Sequence, residues 1–360
     1  MSQTNRTGST PDASVVIETR TLRKTFQSVR KEPGLWGSVR GLWSRDYTTK
    51  EAVKGVDLSI GAGELIGFLG PNGAGKTTTL KMLSGILHPT AGSATVLGYT
   101  PWERRADFLR QIALVMGQKQ QLWWDLPASE SFLLLQEIYE IPDDAYKLRL
   151  GELAEMLDIT KILATQVRKL SLGERMKCEL VAALLHAPRV VFLDEPTIGL
   201  DVVSQVRIRT FLKLYQERHH ATIILTSHYM QDVKELCERV VIIDQGAKVF
   251  DGPFATLVSR YSEEKLIRLT FSQPVTLAEV ERFGVATMPD DTHAVVRVPR
   301  DESARRAGGM LSSLPVADVT IDEVEAEEII RQMFADSAGE GVPAGSPGGE
   351  LAAAADRSVP

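Results

Sequence analysis

The stretch "ELIGFLGPNGAGKTTTLKMLSGIL", Glu64 to Leu87, decides how the rest of the chain is read. It opens with an apolar run of strand length, "ELIGFL", and closes with a helix-length amphipathic pattern, "KTTTLKMLSGIL". Between them, the glycines of Gly70, Pro71, Asn72, Gly73, Ala74 and Gly75 let the backbone curl so that successive N–H groups face a phosphate. Lys76, Thr77 and Thr78 then start a helix whose N-terminus adds its positive dipole end. Lys76 is placed to reach the outer phosphates, and the Thr77 hydroxyl to ligate Mg²⁺. A glycine turn of purely structural use would not need the strand before it and the helix after it.

"RVVFLDEP", Arg189 to Pro196, supplies the second half of a nucleotide site. Two carboxylates at the end of a buried strand are costly unless they meet a cation or a proton task. Asp194 is expected to hold Mg²⁺ through its water shell, and Glu195 to be the base that orients the attacking water. Phosphoryl transfer from ATP to water is the reaction this pair favours. A kinase with the same loop would share these features, so other residues must decide.

The chain has 360 residues and 43% hydrophobic content, enough for one large domain and a smaller one. Its net charge of −6 argues against a general nucleic-acid binder. The start "MSQTNRTGSTPDAS" holds no apolar stretch for a secretory signal, and no run reaches the roughly 18 apolar residues of a membrane span, so a cytosolic chain is expected. Cys178 and Cys237 have no Cys or His company and read as buried fillers. Strand-length runs alternate with helical patterns, as in "ATIILTS" followed by "MQDVKELCER", which means a mostly parallel sheet covered by helices.

With the phosphate loop, four further motifs carry a family resemblance. "KLSLGERMKCELVAALL", Lys169 to Leu185, closely resembles the signature of ABC-type ATPases, whose usual form is "LSGGQ". "IGLD" resembles their D-loop, ending at Asp201; "TSHYMQDV" resembles their switch loop, with His228 contacting the γ-phosphate; and "VMGQ" resembles their Gln loop, with Gln118 reaching Mg²⁺. The resemblance spans about Val15 to Ser259. It implies a P-loop NTPase of ABC type over 14–262 with a helical signature subdomain, ATP as substrate and Mg²⁺ as cofactor. It also implies that Ser171, Gly173 and Glu174 face ATP held by a second ATP-binding subunit. Leu172 and Glu174 depart from the usual glycine and glutamine, and the added carboxylate repels a phosphate unless Arg175 or Lys177 offsets it.

Family members stack an aromatic ring on adenine about two dozen residues before the loop. Tyr47 lies 23 residues before Gly70 and is favoured by spacing, while "LRKTF" resembles the usual strand end and nominates Phe26. An insertion over about 27–49 separates them. From Thr19 to Lys50 there are eight Lys/Arg and two Asp/Glu, and Trp36, Val39 and Trp43 recur at helical spacing. Contact with lipid headgroups or a membrane protein, and a helix folded on its own domain, both fit this segment.

Beyond residue 262 the patterns "KLIRLTF", "TLAEVERFG", "HAVVRVP", "DESARRAGGMLSSL", "VADVTIDEV" and "EAEEIIRQMF" read as strand and helix in alternation. A small α+β domain over 263–335 is expected, its order suiting a ferredoxin-like fold, with unstructured ends at 1–13 and 336–360. The motif spacing, the "EPGLWGSV" insertion and "GQKQQLWWDLP" resemble the ATP-binding subunits of two-component bacterial exporters, the drug and viologen efflux group above all. That resemblance implies integral membrane permease subunits as partners, a peripheral place on the cytoplasmic side of the membrane, and export of a drug-like, hydrophobic or cationic molecule. Trp123 and Trp124 are then anchors for a permease helix, or alternatively fillers at the core boundary. A mechanical signalling complex at a membrane and a ribosome-associated ATPase are the other classes open at this point.

Overall fold

Leu65–Leu69, the apolar run ahead of the phosphate loop, forms strand β3 and is buried from Ile66 onward. The computed structural model describes residues 15–29, 47–117, 119–227, 229–261, 264–324 and 328–330, and divides the chain into two units, Met1–Phe254 and Ala255–Pro360. In the first unit β3 joins β5 (Ile112–Met116), β6 (Val190–Asp194), β7 (Thr222–Thr226), β8 (Arg239–Asp244) and β9 (Ala247–Pro253). The order is β5-β6-β7-β3-β8-β9, parallel throughout except for the β8–β9 hairpin. Strands such as "TIILT" are apolar without alternation because helices cover both faces of a parallel sheet.

Helices α1 (Lys76–Leu83) and α2 (Ala106–Leu109) precede β5; α3 (Ala128–Ile138), α4 (Asp143–Met156) and α5 (Leu172–Leu184) fill the connection from β5 to β6. Next come α6 (Val202–His219) and α7 (Met230–Leu236) on either side of β7; α8 (Phe254–Tyr261) follows β9 and belongs to the second unit from Ala255 onward. The three consecutive helices between β5 and β6 are the helical subdomain, and α5 carries the signature. A second, antiparallel sheet of β1 (Val15–Val29), β2 (Tyr47–Gly61) and β4 (Ala91–Val96) runs in the order β2-β1-β4. One apolar cluster joins it to the rest, with Ile17, Leu22 and Ile60 meeting Phe68, Leu80 and Phe192. Each such fully buried side chain contributes about 1.5–3 kcal/mol of transfer free energy.

The segment expected as an insertion over 27–49 begins and ends as strand. Gln27 pairs with Thr49, Ser28 with Thr48 and Val29 with Tyr47, extending the β1–β2 hairpin. Phe26, Gln27, Thr49 and Lys50 are exposed, so these strand ends run past the core and show no apolar alternation. Residues 30–46, with Trp36, Val39 and Trp43, lie outside the described residues, as do 1–14 and 331–360.

The second unit contains β10 (Glu264–Phe271), α9 (Leu277–Val280), β11 (Val285–Asp290), β12 (His293–Pro299), α10 (Ser303–Ser313) and β13 (Val316–Glu323). Its strands are antiparallel in the order β11-β12-β10-β13, the split β-α-β-β-α-β arrangement of ferredoxin-like domains. The sequence reading gave three strands here and missed β11. That strand is an edge in which only Ala286 is buried and Pro289 interrupts the pattern, so it carries little strand signal. Ile267, Phe271, Val296, Val298 and Met310 form the core of this unit.

Candidate active site

Three adjacent strands, β6, β7 and β3, end side by side, and their C-terminal ends are where ligands bind in open α/β sheets. From the end of β3 the phosphate loop turns into α1. Gly75 has φ 106, and a Cβ there would sit 2.4 Å from the Ala52 carbonyl oxygen, so only glycine fits the turn. Lys76 is buried, and its ammonium donates to the carbonyl oxygens of Gly70 at 2.6 Å and Pro71 at 3.0 Å. Burial, the leading effect, lowers the pKa of this ammonium from its ordinary value; the nearby charges of Glu195 and Asp194 oppose the shift.

Asp194 ends β6 opposite Thr226 of β7. The Thr77 hydroxyl lies 2.9 Å from both carboxylate oxygens of Asp194, and the Thr226 hydroxyl donates to Oδ1 at 2.8 Å. Thr77 and Asp194 thus bring hard oxygen donors together beside the phosphate loop. Such a donor pair fits Mg²⁺, which takes one or two protein oxygens and completes its shell with phosphates and water. Glu195 follows with φ 56, in the left-handed region that non-glycine residues seldom adopt. It lines a cleft of about 250 Å³ together with Phe26, Lys50, Ala52 and the loop from Asn72 to Thr78.

Phe26, one of the two aromatic candidates, lines this cleft. Tyr47 enters β2 opposite Val29, farther along the hairpin, and its side chain lies outside the described residues. Gln118 and His228 also lie outside them, while their flanks are described. The N–H of Gly117 donates to the Asp194 carbonyl at 2.8 Å, fastening the start of the Gln loop to the carboxylate pair. The Ser227 hydroxyl donates to Asp232 Oδ2 at 2.6 Å and accepts the Tyr229 N–H at 3.0 Å.

The signature residues open α5 as a capping box. Glu174 accepts the Ser171 N–H at 2.9 Å and lies 2.9 Å from its hydroxyl, and the Glu174 N–H donates to Ser171 Oγ at 3.2 Å. The Glu174 carboxylate is therefore bonded to the helix start at Ser171. Arg175 covers the Trp124 ring at 5.1 Å, and Lys177 is buried. A Cβ at Gly173 would come 2.4 Å from Ser204 Oγ and 3.0 Å from Ser204 Cβ, so a side chain there would push Ser204 aside. Asp201 caps α6 through Ser204, accepting from its N–H at 2.9 Å and its hydroxyl at 2.7 Å. These bonds, the hydroxyl's first, lower the Asp201 pKa.

Three residues at this site escaped the sequence reading: Thr226, Glu179 and Asp232. Each acts through hydrogen bonds between segments distant in sequence, which no local motif reports. Asp232 is fully buried and accepts from Thr197 at 2.5 Å, Ser227 at 2.6 Å and Arg209 at 2.9 Å. Trp123 and Trp124 stand in the loop after β5 and are 53% and 44% exposed, so neither fills the core boundary in this chain. Both cysteines are buried as expected, and burial pushes the Cys178 thiol up to about 12 and raises Cys237 as well. Among the described residues no helix is long and apolar enough to cross a membrane.

Comparison with known proteins agrees with this geometry. Residues 53–198 match the family model described as ABC transporter, and residues 263–322 match the EvrA-like ABC transporter, C-terminal domain. The linearmycin resistance ATP-binding protein LnrL of Bacillus subtilis (strain 168) is 36% identical over 278 residues, covering 77% of this chain and 88% of the relative. The Nod factor export ATP-binding protein I of Burkholderia orbicola (strain AU 1054) is 36% identical over 59% of this chain and 70% of its own. Among solved structures, the dimeric post-hydrolysis state of an ATP-binding cassette bound to ADP and Pi shares the fold, with a TM-score of 0.55 and 22% identity over 66% of this chain and 98% of that one. A phosphate loop, a carboxylate pair and a signature helix in one sheet-and-helix frame, with a relative matched over most of its length, place this chain in the family of ABC transporter ATP-binding proteins, and it is an ATPase of that family.

Proposed function

We propose that this chain is the ATP-hydrolysing subunit of an exporter whose channel is made by separate integral membrane permease subunits, and that it moves a small drug-like, hydrophobic or cationic molecule. The observation that carries the reading is the convergence of Thr77, Asp194 and Glu195 on the phosphate loop, in a chain similar to resistance and export ATP-binding proteins. Phe26 stacks on adenine. The loop from Gly70 to Gly75 binds the phosphates with its N–H groups, and Lys76 and Thr78 complete the cradle. Thr77 and Asp194, joined by Gln118, would hold Mg²⁺, which would neutralise phosphate charge.

Glu195 takes the proton of the attacking water, and His228 contacts the γ-phosphate. The second ATP-binding subunit brings Ser171, Gly173, Glu174 and Asp201 to the same nucleotide, so two chains close around two ATP molecules and hydrolysis releases them. The complex sits at the cytoplasmic face of the membrane, and the exposed Trp123 and Trp124 meet the permease. The test is Glu195→Gln in the assembled complex. ATP should still bind while turnover and export of a fluorescent cationic substrate stop; turnover that continues would reject the role of Glu195, and normal efflux in a strain lacking the protein would reject export.

A further inference from the structure

Thr226, the last residue of β7, is fully buried and uses its hydroxyl twice. It donates to Asp194 Oδ1 at 2.8 Å and accepts the backbone N–H of Glu195 at 3.0 Å. The same N–H also lies 3.1 Å from the Thr226 carbonyl oxygen, so the turn from Asp194 to Glu195 is bonded to one residue of the neighbouring strand. That turn is the one that carries Glu195 at φ 56. Residues held in this region persist when their surroundings over-determine them, and they cluster at functional sites.

Packing alone does not ask for a hydroxyl here. Valine has nearly the same shape and suits an apolar buried strand, whereas a buried hydroxyl is tolerated only when it is bonded. A threonine hydroxyl has one proton to give, and it points to Asp194, which leaves a lone pair for the Glu195 N–H. One side chain thereby fixes the rotation of the Asp194 carboxylate and the backbone turn that brings Glu195 to the cleft. Thr77, also bonded to Asp194, is assigned to the metal, so among the described residues Thr226 is the hydroxyl that orients that carboxylate.

We propose that Thr226 is a positioning residue for ATP hydrolysis, its single hydroxyl setting both Asp194 and the left-handed turn at Glu195. The proposal rests on the roles assigned above to those two carboxylates. It is tested in the full chain with Thr226→Val, Thr226→Ser and, in parallel, Glu195→Gln, by kcat and KM for MgATP, by fluorescence titration of a ribose-labelled ATP with and without Mg²⁺, and by thermal unfolding. Thr226→Val should lower kcat about 10–100-fold and raise the Mg²⁺ needed for half-maximal nucleotide binding about 10-fold. Affinity in EDTA should not change, and Thr226→Ser should recover most of both losses. Wild-type kcat and Mg²⁺ demand in a folded Thr226→Val would overturn the proposal, and so would a folded Thr226→Ser as impaired as the valine variant. If the valine variant does not fold, Thr226→Ala takes its place with the same outcomes. Continued turnover in Glu195→Gln would instead reject the underlying roles, whereas an inactive Glu195→Gln beside an unaffected Thr226→Val would reject Thr226 alone.

Discussion

The carboxylate of Glu179 accepts the backbone N–H of Gln121 at 3.0 Å and, from the next residue, that of Leu122 at 3.3 Å. Glu179 is buried in α5, and the two N–H groups belong to the loop that follows the Gln loop. The signature helix and the segment that presents Trp123 and Trp124 are thus fastened to each other by one carboxylate.

Glu179→Ala should destabilise the chain by about 1–3 kcal/mol, because two loop donors lose their acceptor. Burial, the larger effect, raises the Glu179 pKa above its ordinary value of 4.5, and the two N–H bonds oppose it. A folded pKa above the unfolded one favours folding when the group is protonated. The Glu179 contribution is therefore fully present below pH 4.5 and falls as pH rises through the folded value. Urea titrations of wild type and Glu179→Gln across this range should show the wild type losing ground to the variant as pH increases; a constant gap would refute the assignment.

Trp123→Ala should change stability by no more than about 0.5 kcal/mol, since its ring is exposed. Trp124→Ala should cost slightly more, because it also removes the Arg175 contact, which is worth about 0.5–1 kcal/mol. Basal ATP hydrolysis should persist while association with the membrane subunits weakens about tenfold or more, as expected of an anchor worth over 1.4 kcal/mol. Pull-down with the permease and denaturation of the isolated chain give the two readouts. Matched losses of stability in both variants would return the tryptophans to a packing role.

Asp232→Asn should be among the most damaging single changes in the first unit. It leaves the Arg209 guanidinium, only 6% exposed, without its buried partner, and such a loss costs about 3–5 kcal/mol. Glu235→Gln also touches Arg209, but the Glu235 side chain is 41% exposed and its removal should cost less than about 1 kcal/mol. Chemical denaturation of the two variants decides the matter. Equal effects would show that the Asp232 cluster of Thr197, Ser227 and Arg209 is not the stabilising centre it appears from its bonds.

Phe26→Ala should weaken ATP binding by about 1–3 kcal/mol, the range of base stacking on an aromatic ring, and Tyr47→Ala should leave it unchanged. Calorimetric titration with ATP is the measurement. A loss confined to Tyr47→Ala would reverse the choice between the two rings.

How much of this was legible in the sequence differs by residue. The phosphate loop, the Asp194–Glu195 pair and the order of the signature, D-loop and switch loop were readable because each is a short run with its own backbone requirement and chemistry. The second unit was readable as α+β, except for β11, whose edge position removes the apolar alternation that marks a strand. The sequence marked Glu174 as a departure from the usual glutamine, and the structure adds that a capping box turns its carboxylate to Ser171.

By itself the sequence determined the parallel-sheet frame and the phosphate loop between its strand and helix, since apolar periodicity and local motifs are properties of contiguous residues. Only the tertiary structure placed Phe26 at the cleft, because that depends on the hairpin register pairing Phe26 with Lys50. It also decided that Thr226 holds Asp194 and that Glu179 holds the loop at Gln121, over separations of 32 and 58 residues. Hydrogen bonds of that reach are set by how strands and helices come to lie beside one another, and burial then makes each of them costly to lose.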